Sequence, residues 1–237
     1  YHEALVHVPL SLLGMRERVL VLGGGDGLVL RELLKYKDIG TIDLVDLDPV
    51  MVEISRSFAP LVKLNGGSLD DPRVTVHAMD AFKFLETSNG LYDAIIADLP
   101  DPKNLSLARL YSREFYALAR RRLSRQGILV TQSTSPYFAP KAFWAIRATL
   151  EAAGFPHIRP YHAYVPSFGD WGFIMASNRR IRPETLRIAV PTRYLDARLA
   201  RAMFVFPKDS IEDDVKISSL NSPEILRYYL EGWKQWQ

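Results

Sequence analysis

The sequence has no cysteine among its 237 residues, which excludes a disulfide framework, thiolate metal sites and a cysteine nucleophile. Histidine is scarce: the five present (His2, His7, His77, His157, His162) show no ligand spacing, so no metal site is expected. No apolar run approaches the roughly 20 residues that a membrane-spanning helix needs; stretches such as Arg18 to Leu22 and Ala94 to Ala97 are typical. Nor does any segment have the layout of a secretory signal. Charge of one sign is hardly in excess, with 30 Lys and Arg against 27 Asp and Glu. Residues 1–177 are balanced at 19 and 19, while residues 178–237 hold 11 basic and 8 acidic side chains. The compact basic run Arg120, Arg121, Arg122 and Arg125 reads as the solvated end of a helix, where cations suit the helix dipole. A dense basic face with interleaved aromatics is missing, so nucleic acid is not an expected partner. At 48% hydrophobic and 24% charged residues, the composition suits a sizeable core and excludes disorder.

Strand-like and helix-like stretches alternate along residues 1–177. Strands are expected at Arg18–Leu22, Thr41–Asp48, Arg73–Asp80, Tyr92–Asp98, Gly127–Ser133, Ile158–Val165 and Gly172–Ser177. Helical spacing follows at Leu28–Tyr36, from Pro49, at Tyr111–Leu123 and at Lys141–Ala153. The run Ala94, Ile95, Ile96, Ala97 has the continuous apolar character of a strand buried on both faces. Repeated strand–helix units imply an α/β fold with a doubly wound, mostly parallel sheet. From about Asn178 the pattern changes to a basic link and Pro-punctuated helical pieces around Asp196–Met203 and Ser222–Trp236. The second piece carries Leu226, Tyr229, Leu230, Trp233 and Trp236 at helical spacing, which reads as a docking face rather than a cofactor box. The division expected is therefore a catalytic domain over 1–177 and a helical extension over 178–237 that packs on it.

In an open parallel sheet, ligands bind beyond the carboxyl ends of the strands, near the switch in strand order. The candidates are therefore the loop Gly23-Gly24-Gly25-Asp26-Gly27 and the carboxylates Asp46, Asp48, Asp80, Asp98 and Asp101. A single strand-terminal Asp is usually a turn former, but four strands ending so after a glycine loop are hard to obtain that way. Asp26 beside the glycines would repel a pyrophosphate, which favours a cationic ligand. Asp46, about 20 residues on, is spaced to accept hydrogen bonds from ribose hydroxyls, and Asp80 can accept from an adenine amino group. Asp98-Leu99-Pro100-Asp101-Pro102 holds two carboxylates three residues apart between prolines. That arrangement suits an amine substrate, and it reads equally as a plain proline turn. His2 and Glu3 read as ordinary strand-edge polar residues.

As a set, these motifs are specific. Tyr1-His2-Glu3, Val19 through Gly27 with Leu30-Arg31-Glu32, Asp46-Leu47-Asp48, Asp98 through Pro102 and Leu110-Tyr111 through Phe115-Tyr116 resemble the ordered signature of the spermidine synthases, the polyamine aminopropyltransferases. The likeness covers roughly residues 1–177. Residues 178–237, with Phe204 through Pro207 and Arg227-Tyr228-Tyr229, resemble the tail of the membrane-tethered bacterial-type branch. That resemblance implies transmembrane helices before Tyr1, a tethered cytoplasmic domain, and room for a homo-oligomer. It also implies a Rossmann-like sheet of the class I methyltransferase type with an antiparallel last strand. The activity implied is transfer of the aminopropyl group of decarboxylated S-adenosylmethionine to a polyamine such as putrescine, releasing methylthioadenosine, with no permanently bound cofactor.

Residue by residue, the resemblance implies that Gly23, Gly24, Gly25, Asp26, Asp46, Asp80 and Ala81 hold the co-substrate. It puts Tyr1, His2, Asp26 and Asp101 on the amine side, with Asp98 as proton acceptor. The chain departs from the family pattern in several places: Asp46 for a Glu, Ala81 for a Gly, Leu99-Pro100 for two small polar residues, and Pro166 through Asp170 for Tyr-Pro-Ser-Gly. Tyr164 is the expected substitute for the Tyr missing from that last motif. Two other readings of the same residues are a methyltransferase using S-adenosylmethionine and a non-catalytic polyamine- or nucleoside-binding module.

Overall fold

Val19, Leu20, Val21 and Leu22 are all fully buried. In the computed structural model, which describes residues 1–234 and Trp236, they lie in the strand β1 (Arg18–Gly23). Gln235 and Gln237, at the end of the expected extension, lie outside the described residues. The remaining strands are β2 (Thr41–Asp46), β3 (Val74–Ala78), β4 (Tyr92–Asp98), β5 (Leu123–Gln132), β6 (His157–Val165) and β7 (Gly169–Ser177). They form one seven-stranded sheet in the order β3-β2-β1-β4-β5-β7-β6. Strands β1 to β5 are parallel, and β7 runs antiparallel to both neighbours. This is the doubly wound, Rossmann-like sheet of the class I methyltransferase type that the alternation and the resemblance predict.

The helices are α1 (His2–Leu10), α2 (Leu28–Leu33), α3 (Pro49–Ser57), α4 (Ala59–Asn65), α5 (Ala81–Thr87), α6 (Leu105–Ala108), α7 (Arg113–Arg121), α8 (Pro140–Ala152), α9 (Ala197–Ala202) and α10 (Glu224–Lys234). The two-residue period of the strands divides the core between the faces of the sheet. Val19, Val21, Ala94 and Ile96 join the cluster that takes in α1 and α2. Leu20, Leu22, Ile95 and Ala97 join the cluster under α5, α7 and α8.

Two local readings change. Residues after Tyr1 form a helix, not a strand edge, because Ala4, Leu5, Val6, Val8 and Leu10 bury completely against the first cluster. The second strand stops at Asp46 rather than Asp48, whose carboxylate accepts from the N–H groups of Val50 and Met51 at 2.9 and 3.2 Å. Asp48 is thus the N-cap of α3, with Pro49 in its first turn.

Residues after 177 bury side chains on both faces of the sheet. Ile181, Leu186, Leu195, Ala200 and Met203 enter the α1-side cluster, while Ile225 and Tyr228 of α10 enter the other, beside α8. A polar tie joins α1 to the segment before α9. The Glu3 carboxylate accepts from the backbone N–H groups of Arg193, Tyr194 and Leu195 at 2.7, 2.9 and 2.9 Å. Burial works against its ionisation, but these three hydrogen bonds prevail and hold its pKa below the usual carboxylate value. A carboxylate with a depressed pKa stabilises the fold above its unfolded pKa, and that contribution is lost as the pH falls. Glu3→Ala is therefore predicted to cost about 1–2 kcal/mol at neutral pH, because water reaches part of the tie. Thermal melts should show the deficit shrinking in acid, and proteolysis should open the 187–196 segment first; an unchanged melt at neutral pH would remove this role.

Candidate active site

The strand order reverses between β1 and β4, which leaves a crevice at their carboxyl ends. Gly23 and Asp98 are register partners there. Gly23 has φ +82°, and a Cβ on it would lie 2.1 Å from the Asp98 carbonyl oxygen. Only glycine fits that position. Two residues on, a Cβ at Gly25 would meet the Asp46 carboxylate at 2.7 Å. That carboxylate accepts from the N–H groups of Gly25 and Asp48, each at 2.8 Å. The glycine loop is thus shaped as much by its acidic neighbours as by its own turn.

Over this crevice opens a cavity of about 520 Å³ lined by Gly23, Gly24, Gly25, Asp26, Asp46, Asp48, Asp80, Ala81 and Asp98. Val45, Met51, Leu99, Leu107 and Leu110 supply apolar wall. All the residues expected to hold the co-substrate therefore meet in one place. Asp26 accepts from the Leu28 N–H at 2.9 Å, and burial raises its pKa, with Asp46 adding to the effect. Asp80 caps α5 through the Lys83 N–H at 3.0 Å and forms an ion pair with Arg109. Arg109 is the one cation in the lining, and its guanidinium also lies 5.8 Å over the Phe82 ring.

Asp98 sits at the floor with its side chain 13% exposed. Burial, reinforced by Asp26 and Asp46 and opposed by a hydrogen bond from Tyr1, pushes its pKa up to about 7. The Tyr1 hydroxyl donates to it at 2.5 Å. The His2 imidazole lies 4.0 Å away, and burial pulls its pKa down to about 4, so it is neutral at pH 7 and is not an ionic partner. Around a neutral histidine, Asp98 keeps its capacity to take a proton.

Three residues further, Asp101 faces a second cavity of about 800 Å³, bordered by Phe138, Phe168, Trp171, Tyr229 and Trp233. The connecting loop is braced from below. Gln132, at the end of β5, donates to the Leu99 carbonyl at 2.7 Å and to Asp101 at 3.2 Å, and its amide also contacts the Tyr111 hydroxyl. Its Oε1 accepts from the Thr134 N–H at 3.0 Å, which fixes the amide orientation. Tyr111 in turn donates to the Pro100 carbonyl at 3.0 Å. Thr134 has φ +54°, an uncommon conformation for a β-branched residue, and so the turn beneath the loop carries backbone strain.

Tyr164, the expected substitute for the missing Tyr, is placed apart from these residues. It is 66% exposed and borders neither cavity. In β6 the alternating positions Tyr161, Ala163 and Val165 point into the core, which turns Tyr164 outward. The aromatic stripe of α10 also differs from the simple docking face expected of it. Leu226, Tyr229 and Trp233 pack on the core, Leu230 and Trp236 stay about half exposed, and Tyr229 and Trp233 border the second cavity. Arg109, Gln132 and Trp171 were not singled out from the sequence. Gln132 ends an apolar strand as Asp98 does, and the same strand-end rule selects it; Arg109 carries no sequence signal, since only the fold brings it to Asp80.

Comparison with known proteins agrees with this geometry. The profile of the spermine/spermidine synthase domain matches residues 1–185. The chain is 48% identical over 239 residues to polyamine aminopropyltransferase 1 of Streptomyces coelicolor, covering 100% of this chain and 44% of that protein. It is 41% identical over 240 residues to the polyamine aminopropyltransferase of Oceanobacillus iheyensis, covering 100% and 47%. This chain thus spans less than half the length of these curated relatives. Among solved structures, spermidine synthase from Thermotoga maritima superposes with a TM-score of 0.79 at 27% identity, over 88% of this chain and 72% of that one. A spermidine synthase in complex with the transition-state analogue AdoDATO gives 0.80 at 27%, over 88% and 73%.

The raised pKa of Asp98 has a cost in stability. A group whose folded pKa lies above its unfolded value stabilises the fold below the unfolded pKa and loses that contribution as the pH rises through the folded value. Asp98→Asn, which cannot ionise, is therefore predicted to melt higher than the parent above pH 7, with the two curves converging near pH 4. A variant that melts lower throughout would mean that the Tyr1 hydrogen bond, not the buried charge, dominates this position.

Proposed function

The chain belongs to the spermine/spermidine synthase family, and from that premise we propose that it transfers the aminopropyl group of decarboxylated S-adenosylmethionine to a polyamine, releasing methylthioadenosine. The observation that carries this reading is the position of Asp98. It is a nearly buried carboxylate with a pKa of about 7, at the end of the strand whose following loop borders both a carboxylate-lined nucleoside-sized cavity and an aromatic one. The first cavity offers Asp26, Asp46, Asp48 and Asp80 but only Arg109 as cation. Such a lining suits a sulfonium with a terminal ammonium and disfavours a ligand that carries its own carboxylate. S-adenosylmethionine itself, and methyl transfer with it, is the weaker fit.

In this mechanism Asp46 receives the ribose hydroxyls, and the apolar wall by Asp80 and Ala81 takes the adenine. Asp26 receives the ammonium of the aminopropyl arm. Asp101 and the aromatic walls receive the far end of the acceptor, while Tyr1 and His2 flank Asp98. The acceptor's ammonium form has a pKa of about 10 and carries no lone pair. Asp98 orients it and accepts a proton, and the freed amine attacks the methylene next to sulfur. A carbon–nitrogen bond forms, the carbon–sulfur bond breaks with its electrons passing to sulfur, and neutral methylthioadenosine leaves. In-line positioning and proton acceptance are the two contributions asked of the protein.

Residues 1–177 are proposed as the catalytic unit and 178–237 as an extension packed on it. The tethered branch rests on the likeness of that tail alone; no helix among the described residues is long and apolar enough to cross a membrane. Fractionation of the full-length protein between membrane and soluble pools tests the tether.

Asp98→Asn is predicted to lower kcat by about 10²–10⁴-fold while sparing co-substrate affinity. Parental kcat/KM should fall on the acid side of about pH 7, where Asp98 becomes protonated, and the limb in kcat should lie lower, because the bound sulfonium favours the carboxylate. Near-normal turnover of Asp98→Asn at neutral pH with saturating acceptor would place the base elsewhere. Asp26→Asn should weaken the decarboxylated co-substrate by about 10–100-fold, the worth of a hydrogen bond to a charged group, and leave methylthioadenosine nearly unaffected. Calorimetry with both ligands decides this, and equal losses would remove Asp26 from the ammonium site.

A further inference from the structure

The proposed transfer makes no use of His7 and Glu32, although His7 is fully buried in α1 and Glu32 in α2 is 2% exposed. Their side chains meet at 2.8 Å, from Nε2 of the imidazole to a carboxylate oxygen. The same carboxylate accepts from Lys35 Nζ at 2.6 Å and from Arg31 Nε at 2.8 Å. Burial opposes its ionisation, but the hydrogen bonds from His7, Lys35 and Arg31 prevail and hold its pKa down at about 2. An ionised carboxylate only accepts, so Nε2 of His7 carries a hydrogen. The other ring nitrogen, Nδ1, lies 3.0 Å from the Tyr36 hydroxyl. Beyond Tyr36, Arg16 lies over its ring and pairs with Asp38. The two helices joined in this way both lead into the site. Tyr1, whose hydroxyl donates to Asp98, precedes α1 and is held to it by its carbonyl, which accepts from the Leu5 N–H at 3.0 Å. Asp26 and the glycine loop precede α2.

We propose that His7 is a positioning residue for the proton acceptor: its bond to Glu32 fixes where α1 sits along α2 and so keeps the Tyr1 hydroxyl on Asp98. The proposal rests on the transferase reading above and adds to it a residue that touches no substrate. The Tyr1 hydrogen bond favours the carboxylate form of Asp98 against burial and against Asp26 and Asp46. Slippage of α1 therefore raises the Asp98 pKa and leaves less of the base ionised at neutral pH. His2 travels with Tyr1, but it is neutral at pH 7 and does not replace the lost hydrogen bond.

The test follows Asp98 itself, by carbon-13 NMR titration of its carboxyl in the full-length protein. Beside it stands the pH profile of kcat/KM for methylthioadenosine release from decarboxylated S-adenosylmethionine and 1,4-diaminobutane. Tyr1→Phe should move both the titration and the acid limb up by about one pH unit, the worth of a hydrogen bond to a charged group. His7→Phe keeps a flat ring and removes both ring nitrogens. It should move them up by roughly half to one pH unit, and should add nothing in the Tyr1→Phe background. His7→Gln, whose amide can still donate to Glu32, should bring them back toward the parental position. Should His7→Phe fail to fold, Tyr36→Phe removes the partner of Nδ1 and should move Asp98 in the same direction. An Asp98 titration unmoved in the folded variant, or a shift that adds in full to that of Tyr1→Phe, overturns the proposal while leaving the transferase reading intact. A parent that releases no methylthioadenosine overturns the transferase reading, and the NMR series then judges the placing of Tyr1 by His7 independently of activity.

Discussion

The carboxylate of Asp98 is the constraint around which the site is arranged. It ends β4, the strand with six consecutive buried residues before it, and it stands beside Gly23 at the point where the sheet changes direction. A charge in that position is disfavoured by desolvation, and two further carboxylates, Asp26 and Asp46, add repulsion. The fold accepts this through the Tyr1 hydrogen bond and the absence of any Cβ on Gly23. A buried acid poised near neutrality is the arrangement that proton acceptance from an amine requires.

Stiffness in the loop after Asp98 follows from the same strand end. Tyr111 and Gln132 hold the backbone carbonyls of Leu99 and Pro100, and Gln132 is itself locked by the Thr134 N–H. The two carboxylates of that loop consequently face two different cavities, one nucleoside-sized and acidic, the other aromatic. Division of one loop between two cavities makes the two readings of the sequence compatible, since a proline turn here also presents a carboxylate to each.

Residues after 177 act on both faces. The Glu3 tie and the buried Leu186, Leu195 and Met203 fasten the first part of the extension to α1, the helix whose leading residues flank Asp98. The second part, α10, packs along α8 and reaches Asp101. Both ends of the extension therefore bear on the site, one through the helix at its base and the other through its outer wall.

The sequence by itself determined what depends on short range. Continuous apolar runs at Val19–Leu22 and Ala94–Ala97, a first-turn proline such as Pro49, and the glycine loop are consequences of a few neighbouring residues, and so the strands, their mostly parallel pairing and the strand-end carboxylates were legible. Only the tertiary structure decided what depends on apposition. Strand parity turned Tyr164 away, burial against the sheet made the residues after Tyr1 helical, and Arg109 came to Asp80 through the fold alone. The pKa of Asp98 belongs to this second group, because desolvation is a property of everything packed around a group. So does the placing of Tyr229 and Asp101 on one cavity: spacing marked an apolar stripe on α10, but which of its side chains would border that cavity was set only when the helix docked.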